Sequence, residues 1–235
     1  MKSKEELTDL VNRIEKWAVN LGLNTNSNPL KQTLKYYEEV GELAKAIQRK
    51  DLLEVMDGIG DSVVVGAVMG SQLRGLATLP KYKDMPLVGL SNEYIPFIDV
   101  LNKTNVPKLF HLYTKNLQRY VNYCVDTYSQ EEYGYYLFDF YGKFLQSANQ
   151  LAICLGVDLN ECVKMAYTTI YFRSGKIIDG VFVKREPQAT IRIATTKLTL
   201  PIDKIIDTVL EYAENNGLEF FNVRFDGSIL NCNHK

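Results

Sequence analysis

Glu38, Glu39 and Glu42, followed by Asp57 and Asp61, are the residues best suited to chemistry. They belong to the stretch YYEEVGELAKAIQRKDLLEVMDGIGD, residues 36–61, which sets seven carboxylates into a helical apolar pattern. With about 3.6 residues per helical turn, Glu38, Glu42 and Lys45 share one stripe and Glu39 lies beside it. Asp57 and Asp61 fall one turn apart on the next helix. Two helices joined by so short a connector run antiparallel, so the acidic stripes can face each other. Carboxylates brought together raise one another's pKa unless something positive lies between them. A hard divalent cation answers that need: Mg²⁺ takes a few carboxylates and waters and leaves positions for substrate phosphates, with Mn²⁺ as the alternative ion. The competing reading is a plain solvated face. Apolar Val40, Leu43, Ile59, Val63 and Val64 flank the acids and set them against the core, and Gly41, Gly58 and Gly60 suit close approach of backbones or ligands.

The elements that must position these acids are helices. Leu7, Leu10, Val11, Ile14, Trp17 and Ala18 give one face of a helix over about residues 4–21. Asn28-Pro29 is a cap followed by a first-turn proline, and it opens a helix to Arg49 whose apolar stripe reads Leu30, Leu34, Tyr37, Val40, Leu43, Ala44 and Ile47. Asp51-Leu-Leu-Glu54 has capping-box spacing and starts a third helix, continuing to about Leu73. After Asp61 that helix is nearly all apolar and small, which suits a central position. Prolines and glycines over 74–107 break the pattern into an irregular insertion. Helical periodicity returns over about 108–128 and 131–155, and Asp158-Leu-Asn-Glu161 caps a further helix to about Tyr171. Gly175 and Asp179-Gly180 mark turns around a short extended piece, and from Ala189 a strand-helix-strand pattern reads as a small appendage.

The chain has 235 residues, of which 46 % are apolar and 23 % charged, enough for a sizeable core and too apolar for wholesale disorder. A net charge of −1 supplies no global field for nucleic acid or an anionic membrane. No apolar run reaches the ~20 residues that span a bilayer, and the N-terminal stretch lacks a signal-peptide core. Four cysteines without a CxxC read as buried thiols in a reducing cytoplasm.

YYEEVGELAKAIQRKD followed by DGIGDSVVV resembles the MazG-like, all-α nucleoside triphosphate pyrophosphohydrolases, whose signature is EExxE and, a dozen or more residues later, ExxD. IEKWAVNLGL and LGVDLNECVKMAYTTIYFRSGKIIDGVFVK are similar to segments of phage-encoded members. The resemblance covers about 1–73 and 145–185 and leaves the insertion and the last fifty residues aside. It implies a mainly α fold: a MazG-like antiparallel helical bundle over 1–186, with an insertion at about 74–135 and a small α/β appendage over 187–235. It also implies Mg²⁺-dependent cleavage of a nucleoside triphosphate to monophosphate and pyrophosphate, in a homodimer or homotetramer of a cell's, or an infected host's, cytoplasm.

Residue by residue, Glu39, Glu42 and Asp61 match the metal-binding acids, and Glu38 is the candidate to orient or deprotonate the attacking water. The glutamate of ExxD falls on Gly58, a departure; Asp57 is the candidate replacement, while Glu54 suits a cap first and a ligand second. The family's AYNEIKxRKGK reads AYTTIYFRSGK here, so Thr168 stands at the asparagine position, and Arg173 and Lys176 remain as phosphate contacts or as a basic helix end. Lys45 can contact phosphate or pair with an acid. Trp17 suits core better than a base-stacking platform, and the tyrosine-rich run YGYYLFDFYGKF suits core or a subunit contact. The alternative function is a non-catalytic nucleotide-sensing or partner-binding helical module.

Overall fold

A computed structural model of the chain describes residues 2–75, 105–128, 136–173, 175–178, 181–184, 189–194, 202–218, 220–226 and 229–234, and it is mainly α-helical. The first part is α1 (Lys2–Asn20), α2 (Leu23–Asn26), α3 (Pro29–Arg49), α4 (Leu52–Gly75), α5 (Val106–Tyr128), α6 (Tyr136–Leu155) and α7 (Leu159–Tyr171). A hairpin, β1 (Gly175–Ile178) with β2 (Val181–Lys184), follows α7. Then come β3 (Ala189–Ala194), α8 (Ile202–Asn215), β4 (Phe220–Asp226) and β5 (Ile229–His234), whose strands form an antiparallel sheet in the order β3-β5-β4. The expected insertion lies for its greater part outside the described residues.

Local chemistry sets the helix ends. The Asn28 side chain accepts a hydrogen bond from the Lys31 N–H at 3.0 Å, and Pro29 occupies the first turn, where its missing N–H costs nothing. Asp51 caps α4 through the Glu54 N–H at 3.3 Å, and Asp158 caps α7 through the Glu161 N–H at 3.1 Å. Lys50 closes α3 in a left-handed conformation, with φ 57°, and turns the chain directly into α4.

Helix α4 is the hub. Every residue from Ser62 to Leu73 is buried, and the helix packs against α1, α2, α3, α5, α6 and α7. Its small residues permit that approach: a Cβ on Gly60 would lie 2.3 Å from the Cys162 carbonyl oxygen of α7. The far side of the core is aromatic, with Tyr113, Tyr120, Phe138, Tyr141 and Phe144 fully buried. Two of these phenols donate into α4 itself, Tyr120 to the Gly66 carbonyl at 2.8 Å and Tyr141 to that of Val63 at 3.3 Å. Most of the described part of the tyrosine-rich run is therefore core. Cys124, Cys154 and Cys162 are buried free thiols.

The appendage packs on the bundle. Helix α8 buries Ile205, Ile206 and Val209, β4 lies against α7, and Arg13 of α1 holds Asp203 of α8 with bonds of 2.7 and 3.3 Å.

The buried face of α3 differs from the expected stripe. Leu30, Leu34 and Tyr37 are 64, 72 and 60 % exposed, while Tyr36, Glu39, Leu43 and Ala46 face inward. The register is fixed by α4: at Gly58 a Cβ would sit 2.9 Å from Leu43 Cβ, so the missing side chain lets Leu43 seat against the helix. Seating Leu43 rotates Tyr36 into the protein, where its hydroxyl donates to Gln118 of α5 at 2.9 Å. It also carries Glu39 inward.

Candidate functional site

That rotation separates the acids by environment. Glu39 is buried, with a side chain only 8 % exposed, whereas Glu38 and Glu42 lie on the outer flank of α3 and Asp57 and Asp61 are half-buried on α4. Burial pushes the Glu39 carboxyl up from the usual range; Lys35 opposes that, and Glu42, Glu38 and Asp57 add to it. Glu39 is thus the acid that feels both helices. Gly58, where the resemblance implies a glutamate, faces Leu43 of α3, and a glutamate side chain has no room there. Asp57 is close enough to Glu39 to interact with it electrostatically.

Lys35 is paired with two of these acids. One turn before the acids, its ammonium makes a close ion pair and hydrogen bond with Glu38 and lies 3.6 Å from Glu39 Oε1. Among the described residues, no three His, Cys, Asp or Glu side chains are arranged to hold a metal ion as they stand. The donor chemistry nevertheless fits a hard cation, because every candidate donor is a carboxylate oxygen.

A cavity of about 300 Å³ opens onto these residues, and its lining is chemically mixed. Charged Glu38, Glu39, Asp61, Lys31, Lys35 and Arg173 contribute to it. So do apolar Leu23, Val64, Val65 and Val68, with Trp17 and Phe182, whose rings meet edge-on at 6.3 Å between centroids. Gln32 lines the same cavity, and its amide donates to Ser27 Oγ at 3.3 Å. Arg173 follows the end of α7, where its backbone N–H donates to the Ile170 carbonyl at 2.9 Å. Its Nε is buried and has no hydrogen-bond partner among the described residues.

Glu38, Glu39, Asp61 and Arg173 therefore share one cavity, while Glu42 and Asp57 approach Glu39. Lys45 is exposed and is not among the lining residues. Thr168 is 2 % exposed, absent from the lining, and its hydroxyl donates back to the Lys164 carbonyl at 2.9 Å. Lys176 sits in β1 opposite Val183; its side chain lies outside the described residues. Lys31, Lys35, Gln32 and Phe182 went unnoticed in the sequence. Lys31-x-x-x-Lys35-x-x-x-Glu39 is one helical stripe, and that spacing was the available signal. Trp17, assigned to core, is half-buried against the core and also lines the cavity.

A protein of Haemophilus phage HP1 (strain HP1c1), an uncharacterized 18.2 kDa protein in the rep-hol intergenic region, is 36 % identical to this chain over 67 residues. The match covers 28 % of this chain and about two fifths (41 %) of the relative. No family model matches, and no solved structure matches. Among the described residues no helix is long and apolar enough to cross a membrane.

Proposed function

We propose that the protein is a Mg²⁺-dependent nucleoside triphosphate pyrophosphohydrolase that cleaves the α–β phosphoanhydride, releasing nucleoside monophosphate and pyrophosphate. The observation that carries this reading is the mixed lining of one cavity: aromatic and aliphatic side chains together with carboxylates and cations. A ligand that satisfies both has a flat apolar ring at one end and a polyanion at the other. Nucleotides fit that description; inorganic polyphosphates satisfy only half of it.

In this reading Trp17 and Phe182 receive the base, and Lys31, Lys35 and Arg173 receive phosphate oxygens. Glu39, Glu42, Asp57 and Asp61 are the residues that would hold the ion. Bound there, Mg²⁺ supplies charge neutralisation of the phosphates and a more acidic water. Glu38, exposed and lining the cavity, would orient or deprotonate that water. Leu30, Leu34 and Tyr37, an exposed ridge beside Glu38, support assembly as a homodimer or homotetramer. The partial likeness to a phage protein supports a phage-type chain, and work on nucleotide pools in an infected host's cytoplasm is part of the proposal.

A second reading, a nucleotide sensor without turnover, draws on one observation: the acids as they stand do not converge on one point. It requires binding and forbids pyrophosphate release.

Trp17 is the single tryptophan of the chain, so its fluorescence reports on the cavity wall alone. Titration with non-hydrolysable α,β-methylene nucleotides in Mg²⁺ is expected to give a saturable change that inorganic tripolyphosphate does not reproduce. An equal response to tripolyphosphate would remove the base from this wall. No saturable response to any nucleotide would contradict both readings.

A further inference from the structure

Glu39 is a carboxylate removed from water, with Glu38, Glu42 and Asp57 close enough to oppose its charge. Among the described residues Lys35 is the cation that an ion pair joins to Glu39, at 3.6 Å. The same ammonium pairs with Glu38, so it bridges the two glutamates from the cavity side. Its own side chain remains 39 % exposed, and it shares the cavity with Lys31 and Arg173, the latter near enough to repel it. Lysine carries a compact charge on a flexible stem with three rotatable donors, so it can change partners without moving the backbone.

We propose that Lys35 is an exchangeable counter-ion: it neutralises Glu38 and Glu39 when no divalent ion is bound, and it yields that position to the ion and turns to the incoming phosphate chain. The proposal rests on the reading of the cavity as a metal and nucleotide site. It accounts for how α3 tolerates a buried acid among other acids before any ligand arrives. A divalent cation and an ammonium repel each other at such separations, so one leaves as the other enters. The displaced ammonium then faces a polyanion, which couples binding of the ion to binding of the nucleotide.

The test is Mn²⁺ binding by the full chain, followed through the paramagnetic signal of the free ion, for wild type, Lys35→Met and Lys31→Met. Exchange predicts that Lys35→Met binds Mn²⁺ alone about tenfold more tightly than wild type. Lys31→Met removes the same charge from the same cavity, one turn farther from Glu39, and should change Mn²⁺ affinity little. A non-hydrolysable nucleotide should tighten Mn²⁺ binding in wild type, and much less in Lys35→Met. The melting temperature of Lys35→Met should fall without ion and recover with it. Unchanged or weaker Mn²⁺ binding by Lys35→Met, or equal gains in the two variants, overturns the exchange while leaving the metal and nucleotide reading intact. Absence of Mn²⁺ binding in all three, with or without nucleotide, overturns both.

Discussion

Glu39→Gln lowers pyrophosphate release from a nucleoside triphosphate by about 10²–10⁴-fold, the range lost when a group that stabilises charge or moves a proton is removed. The variant keeps its fold. Glutamine has glutamate's shape but no charge, so the repulsion from Glu42, Glu38 and Asp57 disappears at the one buried acid of the cluster. The sign of the pH effect follows. Burial raises the folded-state pKa of Glu39, so the folded chain holds that proton more tightly than the unfolded chain. Without divalent ion, stability therefore declines as pH rises from the ordinary carboxylate range through the raised value. Glu39→Gln removes that decline. Activity lost together with a flatter pH–stability profile, read by urea denaturation in EDTA, separates a functional carboxylate from a structural one. Activity retained within a few-fold would remove Glu39 from the chemistry.

Arg74→Met costs about 1–3 kcal/mol near pH 7.5, the range seen when a buried hydrogen-bonded group loses its partner. Glu15 of α1 is only 4 % exposed and pairs with Arg74 of α4, at the opposite end of that helix from the acids. Burial pushes the Glu15 carboxyl from its usual 4.5 up to about 7, against the pull of Arg74. In the wild type, stability falls as pH rises from about 4.5 to about 7, because the folded chain binds the proton more tightly over that interval. Without Arg74 the carboxyl rises further. The penalty of the variant should then shrink toward pH 5, where Glu15 takes up its proton and no bare charge is buried. Urea denaturation at pH 5 and pH 7.5 measures both. A penalty independent of pH would mean that Arg74 stabilises through packing of its stem and not through charge.

Much of this architecture was legible in the residues because helix ends are written locally. Asn28-Pro29, Asp51 and Asp158 each fixed an end without help from the rest of the chain, and α3 ends at Arg49 as its periodicity implied. The small apolar run after Asp61 likewise announced a buried hub. The rotation of α3 was not legible. Its residues offer two apolar faces, one through Leu30, Leu34 and Tyr37 and another through Tyr36, Leu43 and Ala46, and the first is richer in large aliphatic side chains. The choice between them is made by the notch at Gly58, a contact with another helix that periodicity does not contain. The same rotation decided which glutamate became buried. Phe182 was unreachable for a similar reason: nothing in VFVK says that the hairpin after α7 brings a ring to Trp17 of α1. Lys35 was reachable, since its spacing to Glu39 places both on one stripe.

In the proposed function the acids and the apolar lining of the cavity serve a single reaction. Incubating the purified chain with each of the eight common ribo- and deoxyribonucleoside triphosphates and Mg²⁺, then separating the products, tests it most directly. The expected result is monophosphate and pyrophosphate in equal amounts from at least one of them, stopped by EDTA and restored by added Mg²⁺ or Mn²⁺. Release of orthophosphate in place of pyrophosphate, or no turnover of any of the eight, would contradict it.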